Sequence, residues 1–325
     1  MVQIEKLTKT FDGFAALRQL DLNIKKGSIY GLVGVNGAGK TTAIKHLAGI
    51  YRQDSGQVYI GGTPVYDNES IKALVGYIPD DLYFFPHYNM KMLRRYYAGM
   101  YENWNDERYL RLLDLFNLDE KKKIGKFSKG MQKQAAFIFT MSMMPEVMLL
   151  DEPIDGLDPI VRKQVFQEII EDVADRQVTV LISSHNLKEM DGICDAIGII
   201  KNGRMIIERD LDDLKSDVHK IQVAFDNETA PIEYIIRNIG LEILHEENRG
   251  SISLLVIRGK EEEVSQKIMS LSPLVYDHLP LTLEEIFIYE TENSDITEVA
   301  DGEASFVDTR SYSKKETEGA DEIPY

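Results

Sequence analysis

Residues 34–41, with the sequence GVNGAGKT, are the part of the chain best suited to chemistry. They fit the pattern Gly-x-x-x-x-Gly-Lys-Ser/Thr at every fixed position. Its glycines let the backbone curl so that successive N–H groups point at one anion, and a following helix adds the positive end of its dipole. Lys40 is suited to neutralise terminal phosphates, and the Thr41 hydroxyl is suited to hold Mg²⁺. The pattern therefore predicts a nucleoside triphosphate site formed by Asn36, Gly37, Ala38, Gly39, Lys40, Thr41 and Thr42.

The segments on either side of this loop are the ones that such a site needs. The apolar run at 29–33 predicts a buried strand, and residues 42–48 predict the opening of a helix. A plain glycine-rich turn is the competing interpretation, and the flanking strand and helix disfavour it. Further apolar runs at 147–150 and 178–183 show no alternation, which is typical of strands buried on both faces of a parallel sheet.

Three polar residues follow directly after these two strands, where ligands bind in doubly wound α/β folds. Asp151 is placed to bind Mg²⁺ and Glu152 to act as a general base on the attacking water. Two acids after a strand normally indicate a solvated turn, but the upstream phosphate loop reverses that preference. His185 is interpreted as a functional residue at the same edge, with a structural histidine as the alternative.

An aromatic residue near the start of the chain has two open interpretations. Phe11 lies in a predicted turn at 10–13, where it could stack on an adenine base or close the core at a strand end. Further along, residues from about 90 to 145 show helical periodicity without a convincing strand, and they predict a helical insert between strands of the nucleotide fold.

Length and composition limit the possible classes of protein. The 325 residues suggest two domains, and the net charge of -17 argues against a nucleic-acid surface. The single cysteine, Cys194, excludes an internal disulfide and fits a reducing cytoplasm. The start of the chain does not have the pattern of a signal peptide, and Pro145 splits the longest apolar stretch into halves too short to span a bilayer.

Together these motifs resemble the nucleotide-binding subunit of ATP-binding cassette (ABC) transporters. Residues 127–132, with the sequence FSKGMQ, resemble the family's Leu-Ser-Gly-Gly-Gln signature, with Ser128 and Gly130 matching it. His185 resembles the family's switch histidine and Phe11 its base-stacking aromatic. The resemblance covers roughly residues 1–214, and it also includes a dimer-contact loop formed by Asp155, Gly156, Leu157 and Asp158.

The resemblance implies an α/β, P-loop NTPase ABC-type nucleotide-binding domain at 1–214 with ATP and Mg²⁺ as cofactors. It implies two subunits, identical or different, packed head to tail, so that each ATP also contacts Ser128, Lys129 and Gly130 of the partner. ATP hydrolysis would power an exporter through integral membrane subunits, from the cytoplasmic face of the membrane and without nucleic acid. The alternative function is an ATP-gated regulatory clamp that binds a soluble partner and hydrolyses slowly.

Two positions depart from the family pattern. Asp80 stands where the family usually has Gln or sometimes Glu, a Mg²⁺ ligand that also reaches the attacking water. We expect Asp80 to keep the Mg²⁺ contact and to change the reach to water. Lys129 replaces the first glycine of the signature, and we favour a side chain that points to solvent. The aromatic segment 83–88 follows Asp80, and it predicts either packing of the helical insert or a groove for a short helix of a membrane subunit.

Composition shifts to a polar linker near residues 211–217, and a second set of elements follows. The predicted order β-α-β-β-α-β indicates a small ferredoxin-like α+β domain at 218–290. Its predicted helices lie at 232–239, 261–271 and 283–289, and its end, LEEIF at 283–287, resembles the end of an extra domain in some bacterial exporter ATPases. Residues 291–325 are acidic and poor in apolar side chains, and they predict a disordered tail.

Overall fold

The computed structural model describes residues 1–225, 236 and 238–286. Up to residue 64 its elements are β1 (Val2–Phe11), β2 (Phe14–Ile24), β3 (Ile29–Val33), α1 (Lys40–Leu47), β4 (Ser55–Ile60) and β5 (Thr63–Pro64). Four of them form an antiparallel sheet in the order β2-β1-β4-β5. The hairpin from β1 to β2 turns at Asp12 and Gly13, whose φ values are 47° and 84°. The predicted turn at 10–13 is therefore corrected to two residues, because two positive φ values match the twist of the flanking strands.

The second sheet carries the strands that were predicted to be buried. After α2 (Glu69–Lys72), its strands are β6 (Val75–Ile78), β7 (Val147–Leu150), β8 (Thr179–Ser184), β9 (Ala196–Lys201) and β10 (Arg204–Asp210). The order is β10-β9-β3-β8-β7-β6, with only the β9–β10 pair antiparallel. Every residue of β3, β7 and β8 is buried. The carboxyl ends of the five parallel strands therefore meet at one edge of the sheet.

Residues 79–146, all of them described, contain helices and no strand. The helices are α3 (Met90–Met100), α4 (Asp106–Leu115) and α5 (Lys129–Ser142), with a 3-10 turn at Ile124–Lys126. Each helix begins at a capping side chain, since Asn89, Asn105 and Ser128 accept a hydrogen bond from the backbone N–H three residues later. These caps set where the helices begin. The helical periodicity that the sequence shows reflects burial of one face, which places Leu93, Tyr109 and Leu112 in the core.

Two elements between 196 and 217 differ from the sequence-based expectation. The hairpin of β9 and β10 was missed, although its turn at Asn202 and Gly203 is the strongest short-range hairpin signal. The predicted polar linker at 211–217 is instead the helix α7 (Leu211–Asp217). Its polar composition conceals two apolar anchors, Leu211 and Leu214, which are 4% and 7% exposed. The helix α6 (Pro159–Arg176) precedes β8.

The last described residues form a third sheet. Its strands are β11 (Val218–Ala224), β12 (Glu242–Arg249), β13 (Ile252–Arg258) and β14 (Val275–Leu279), and α8 (Glu261–Met269) precedes β14. The sheet is antiparallel in the order β12-β13-β11-β14. The helix predicted at 232–239 falls largely outside the described residues. Of the helix predicted at 283–289, residues 283–286 are described and are helical. The predicted tail at 291–325 and the final residue of the LEEIF segment also lie outside the described residues.

Within the described part of the chain, the buried apolar side chains form three clusters, and one of them joins distant parts of the sequence. It lies under the six-stranded sheet and includes side chains of the helical region, such as Phe139 and Leu112. Leu283 and Ile286 belong to the same cluster and are each 2% exposed. Residues beyond the third sheet therefore complete the core beneath the second one.

Candidate functional site

The phosphate loop runs from the end of β3 to the first residue of α1. Gly39 precedes the helix with φ 114°, and a Cβ there would lie 2.9 Å from the carbonyl oxygen of Ala16. A Cβ on Gly34 would lie 2.5 Å from the carbonyl oxygen of Ile200. Glycine is thus required at both positions for steric reasons. Of the predicted triphosphate site, Asn36, Gly37 and Thr41 are exposed, Gly39 and Thr42 are half-buried, and Ala38 and Lys40 are buried.

Three predicted site residues meet at the edge of the sheet. The Lys40 ammonium, 5% exposed as a residue, donates to the carbonyl oxygen of Gly34 at 2.6 Å and lies 3.1 Å from Glu152 Oε1. The other carboxylate oxygen, Oε2, lies 3.0 Å from His185 Nδ1. Glu152 therefore bridges the phosphate-loop lysine and the histidine after β8. The structure therefore brings together the lysine, the acid and the histidine that the sequence predicts as a phosphate ligand, a general base and a functional histidine.

Asp151 is fully buried beside this group. Its Oδ1 accepts a hydrogen bond of 2.7 Å from the Ser183 hydroxyl, which also accepts one from the Glu152 backbone N–H. Its Oδ2 is buried and has no hydrogen-bond partner among the residues that the structure describes. A buried carboxylate oxygen without a donor fits a cation ligand, because leaving it unpaired is costly. The residues present therefore fit the predicted Mg²⁺ site.

A second lysine enters the site from α5. The Lys133 ammonium donates a hydrogen bond of 2.7 Å to the backbone carbonyl oxygen of Glu152 and lies 3.8 Å from Asp80 Oδ1. Burial raises the pKa of the Asp80 carboxyl, Lys133 lowers it, and the nearby charges of Asp151, Asp81 and Glu152 raise it further. Asp80 therefore lies within electrostatic range of the buried acids, as a Mg²⁺ ligand would.

The signature residues open α5 and lie against the predicted dimer-contact loop of the same chain. Ser128 caps the helix, and Lys129 is exposed. A Cβ on Gly130 would lie 3.1 Å from the carbonyl oxygen of Gly156, so the close approach of the two segments favours glycine. Asp158 caps α6 by accepting from two backbone N–H groups, and Leu157 is buried.

Phe11 does not approach the phosphate loop in any contact that the described residues show. Its ring is 38% exposed and lies edge-on to Tyr51, with 5.4 Å between centroids. Lys9 places its ammonium 5.4 Å from the Phe11 ring centroid. The ring thus keeps an open face, which suits the base-stacking interpretation better than the core interpretation.

The aromatic segment 83–88 divides into inward and outward side chains. Phe84 packs on the core cluster and lies 6.4 Å from the Phe139 ring, and Tyr88 is also partly buried. Tyr83 and Phe85 are 82% and 49% exposed. The segment therefore supports packing of the helical region and leaves an exposed aromatic surface.

Sequence reasoning missed some members of the site. Lys133 and Ser183 contact Glu152 only because α5 and β8 pack beside β7, and no local pattern marks either residue. Asp155, assigned from the sequence to the dimer-contact loop, offers an oxygen within 4.8 Å of ligand atoms of Glu152 and His185. Asp155 thus belongs to one cluster with Glu152 and His185.

Comparisons with known proteins bear on the fold and on the family of this chain. The family model described as ABC transporter matches residues 17–155. The ABC transporter ATP-binding protein YtrB of Bacillus subtilis is 32% identical over 288 residues, covering 89% of this chain and 97% of YtrB. The chain belongs to the ABC transporter ATP-binding family. The predicted fold class, an ABC-type P-loop NTPase fold with mixed α/β sheets, is therefore confirmed, as is the resemblance.

Two further comparisons describe relatives of this ABC ATP-binding subunit. The bacitracin transport ATP-binding protein BcrA of Bacillus licheniformis is 33% identical over 219 residues, covering 66% of this chain and 71% of BcrA. A solved ATP-binding subunit of an ABC transporter superposes with a TM-score of 0.62 at 26% identity, covering 66% of this chain and 92% of that one. Among the described helices of this subunit, none has the length and apolar character that crossing a bilayer requires.

Proposed function

We propose that this ABC ATP-binding subunit hydrolyses ATP to power an exporter whose path is formed by separate integral membrane subunits. One observation carries the proposal: the Glu152 carboxylate lies between the Lys40 ammonium and His185, at 3.1 Å and 3.0 Å. A base held beside a phosphate-binding lysine is the arrangement that phosphoryl transfer to water requires.

Triphosphate binding changes the partners of the lysine in this scheme. Lys40 exchanges Glu152 for the β- and γ-phosphates, and Glu152 is then free to accept a proton from the attacking water. His185 contacts the γ-phosphate and holds the carboxylate in place. Thr41, Asp80 and Asp151 are suited to hold Mg²⁺, which neutralises charge on the phosphates when bound. The protein supplies mainly position and charge, with little covalent chemistry.

A second subunit, identical or different, completes each ATP site in this proposal. Ser128 opens a helix of 14 residues, so its N-terminus is suited to an anion. In the head-to-tail arrangement that the resemblance implies, Ser128, Lys129 and Gly130 of one subunit contact the ATP held by the phosphate loop of the other. Asp155, Gly156, Leu157 and Asp158 form the adjoining contact. Loss of the γ-phosphate loosens the pair and converts hydrolysis into motion.

The contact with the membrane subunits is proposed at the exposed aromatic surface of Tyr83 and Phe85. The outer face of α3 adds exposed apolar side chains at four-residue spacing: Met92, Tyr96 and Met100. A short amphipathic helix of a membrane subunit suits such a surface. The subunit would then act at the cytoplasmic face of the membrane. The name of BcrA, a transport ATP-binding protein, supports transport over a regulatory role.

Hydrolysis is tested with Glu152→Gln, which removes the base and keeps the side-chain shape. We expect ATP turnover to fall about a hundredfold or more, because a general base contributes roughly 10²- to 10⁴-fold, while ATP binding is retained. Glu146→Gln is the matched control, since Glu146 is an exposed acid just before the same strand. Full turnover in Glu152→Gln would assign the base to another residue.

The membrane partner is tested by detergent pull-down with the double variant Tyr83→Glu, Phe85→Glu. We expect the parent to capture an integral membrane protein, and we expect the variant to lose it while keeping ATP affinity. Tyr66→Glu is the control, because Tyr66 is 44% exposed and lies outside the aromatic segment. Capture of soluble protein alone would favour the regulatory clamp and contradict the exporter.

The domain organisation also stays a prediction. We propose a nucleotide-binding domain at 1–214 with the helical insert at about 90–145, an α+β ferredoxin-like accessory domain at 218–290, and an acidic tail at 291–325. The antiparallel sheet order β12-β13-β11-β14, with α8 before its last strand, supports the accessory domain.

A further inference from the structure

Lys133 is a buried lysine in the hydrolysis site that neither the phosphate loop nor the signature accounts for. It lies in the first half of α5 and is 7% exposed. Lysine is almost never this buried unless its ammonium is paired. Its ammonium has two partners: the carbonyl oxygen of Glu152 at 2.7 Å and Asp80 Oδ1 at 3.8 Å.

The backbone of Glu152 explains what the first of these contacts does. Glu152 has φ 45°, a left-handed conformation that non-glycine residues rarely adopt and that surrounding contacts must enforce. Ser183 accepts from its N–H at 2.9 Å, and Lys133 donates to its carbonyl oxygen. The two contacts hold Glu152 from both sides, and the carboxylate of this strained residue lies between Lys40 and His185.

The second contact, between the Lys133 ammonium and Asp80, connects the Glu152 backbone to the loop after β6. Asp80 follows β6, and its side chain is 55% exposed, whereas the Lys133 side chain is 9% exposed. The ammonium therefore links the loop after β6, the helix α5 and the residue after β7. Because Lys133 sits on the helix that Ser128 opens, a shift of α5 moves the donor that holds Glu152.

We propose that Lys133 is a positioning residue for ATP hydrolysis: its hydrogen bond to the Glu152 carbonyl aims the carboxylate, and Asp80 steadies the ammonium. This proposal rests on the assignment of Glu152 as the base in the proposed function. Removing the donor leaves the buried carbonyl unpaired and lets the Glu152 backbone relax. The phosphate loop keeps its own contacts, so ATP binding is preserved and the rate of the chemical step falls.

Lys133→Met tests this, because methionine fills much the same volume without a donor. On the full chain, we expect kcat for ATP hydrolysis to fall about tenfold to a hundredfold, the range that misplacing a catalytic group produces. The KM for ATP and the ATP dissociation constant should stay within about twofold of the parent. Lys133→Gln, which keeps a donor without the charge, should recover kcat to at least about a fifth of the parent value. Lys201→Met is the control for losing an exposed lysine.

The outcomes separate this proposal from the proposed function. Parent-like kcat in Lys133→Met, alongside lost turnover in Glu152→Gln, overturns the role of Lys133 and leaves the base in place. Full turnover in Glu152→Gln overturns the base itself. Should Lys133→Met fail to fold, the comparison of kcat between Lys133→Gln and Lys133→Asn tests the proposal. Both side chains are neutral amides, and only glutamine is long enough to approach the Glu152 carbonyl. Equal kcat in those two variants contradicts the proposal, and at least about tenfold faster turnover by glutamine supports it.

Discussion

The buried carboxylate of Asp172 on α6 forms an ion pair with Arg108 on α4, and removing its charge should strongly destabilise the fold. Asp172 is 3% exposed, and its oxygens lie 2.6 Å from Arg108 Nη1 and 3.3 Å from Arg176 Nη1. Asp172→Asn keeps the shape and leaves the Arg108 guanidinium, 11% exposed, without its counter-charge. Breaking one side of a buried pair costs about 3 to 5 kcal/mol, and the lower end applies because asparagine can still accept one hydrogen bond.

A loss of about 3 kcal/mol corresponds to a melting temperature lower by about 6 to 12 °C for a domain of about 150 to 250 residues. Urea unfolding followed by circular dichroism measures the free energy of unfolding directly. Asp175→Asn is the matched control: Asp175 is exposed on the same helix and should change stability by less than about 0.5 kcal/mol. If both variants unfold at the same urea concentration, the buried pair makes no net contribution and the argument from burial is wrong.

Three further predictions concern pH and the phosphate loop. Burial lowers the pKa of His46 below 6.5, so the unfolded chain takes up a proton first as pH falls. The stability that neutral His46 provides above about pH 6.5 is therefore lost as pH falls below that value. Between about pH 7.5 and pH 5, the urea midpoint should fall less in His46→Asn than in the parent. Gly39→Ala should abolish ATP binding measured by calorimetry. Gly37→Ala should only weaken it, because a Cβ there meets none of the described residues within 4 Å, although φ is 82°. Asp80→Gln should change the Mg²⁺ dependence of hydrolysis; identical rates at every Mg²⁺ concentration would refute a role for Asp80 in that site.

The parts of the site that sequence predicts are those encoded locally. The phosphate loop and the acids after β7 follow from glycine spacing and from an apolar run that ends in charge, and the structure shows both features. The Lys133 contact spans 19 residues and depends on how α5 packs on the sheet, so no local pattern predicts it. The close approach of Gly130 to Gly156 has the same origin.

Elements were missed where composition conceals burial. Helix α7 has the polar composition of a linker, because only Leu211 and Leu214 anchor it in the core. The hairpin of β9 and β10 is a different case, because its Asn202-Gly203 turn is a local signal that predicts a hairpin. Tertiary contacts decide the first case, and a local rule suffices for the second.

The burial of Leu283 and Ile286 in the cluster beneath the six-stranded sheet has a consequence for biosynthesis. A ribosome makes the chain from its first residue, and these two side chains leave the exit tunnel long after the phosphate loop. The cluster beneath the six-stranded sheet is therefore completed during translation only after residue 286 has emerged. Until then, the apolar side chains that Leu283 and Ile286 cover in the folded protein stay exposed, and exposed apolar surface of this kind promotes aggregation.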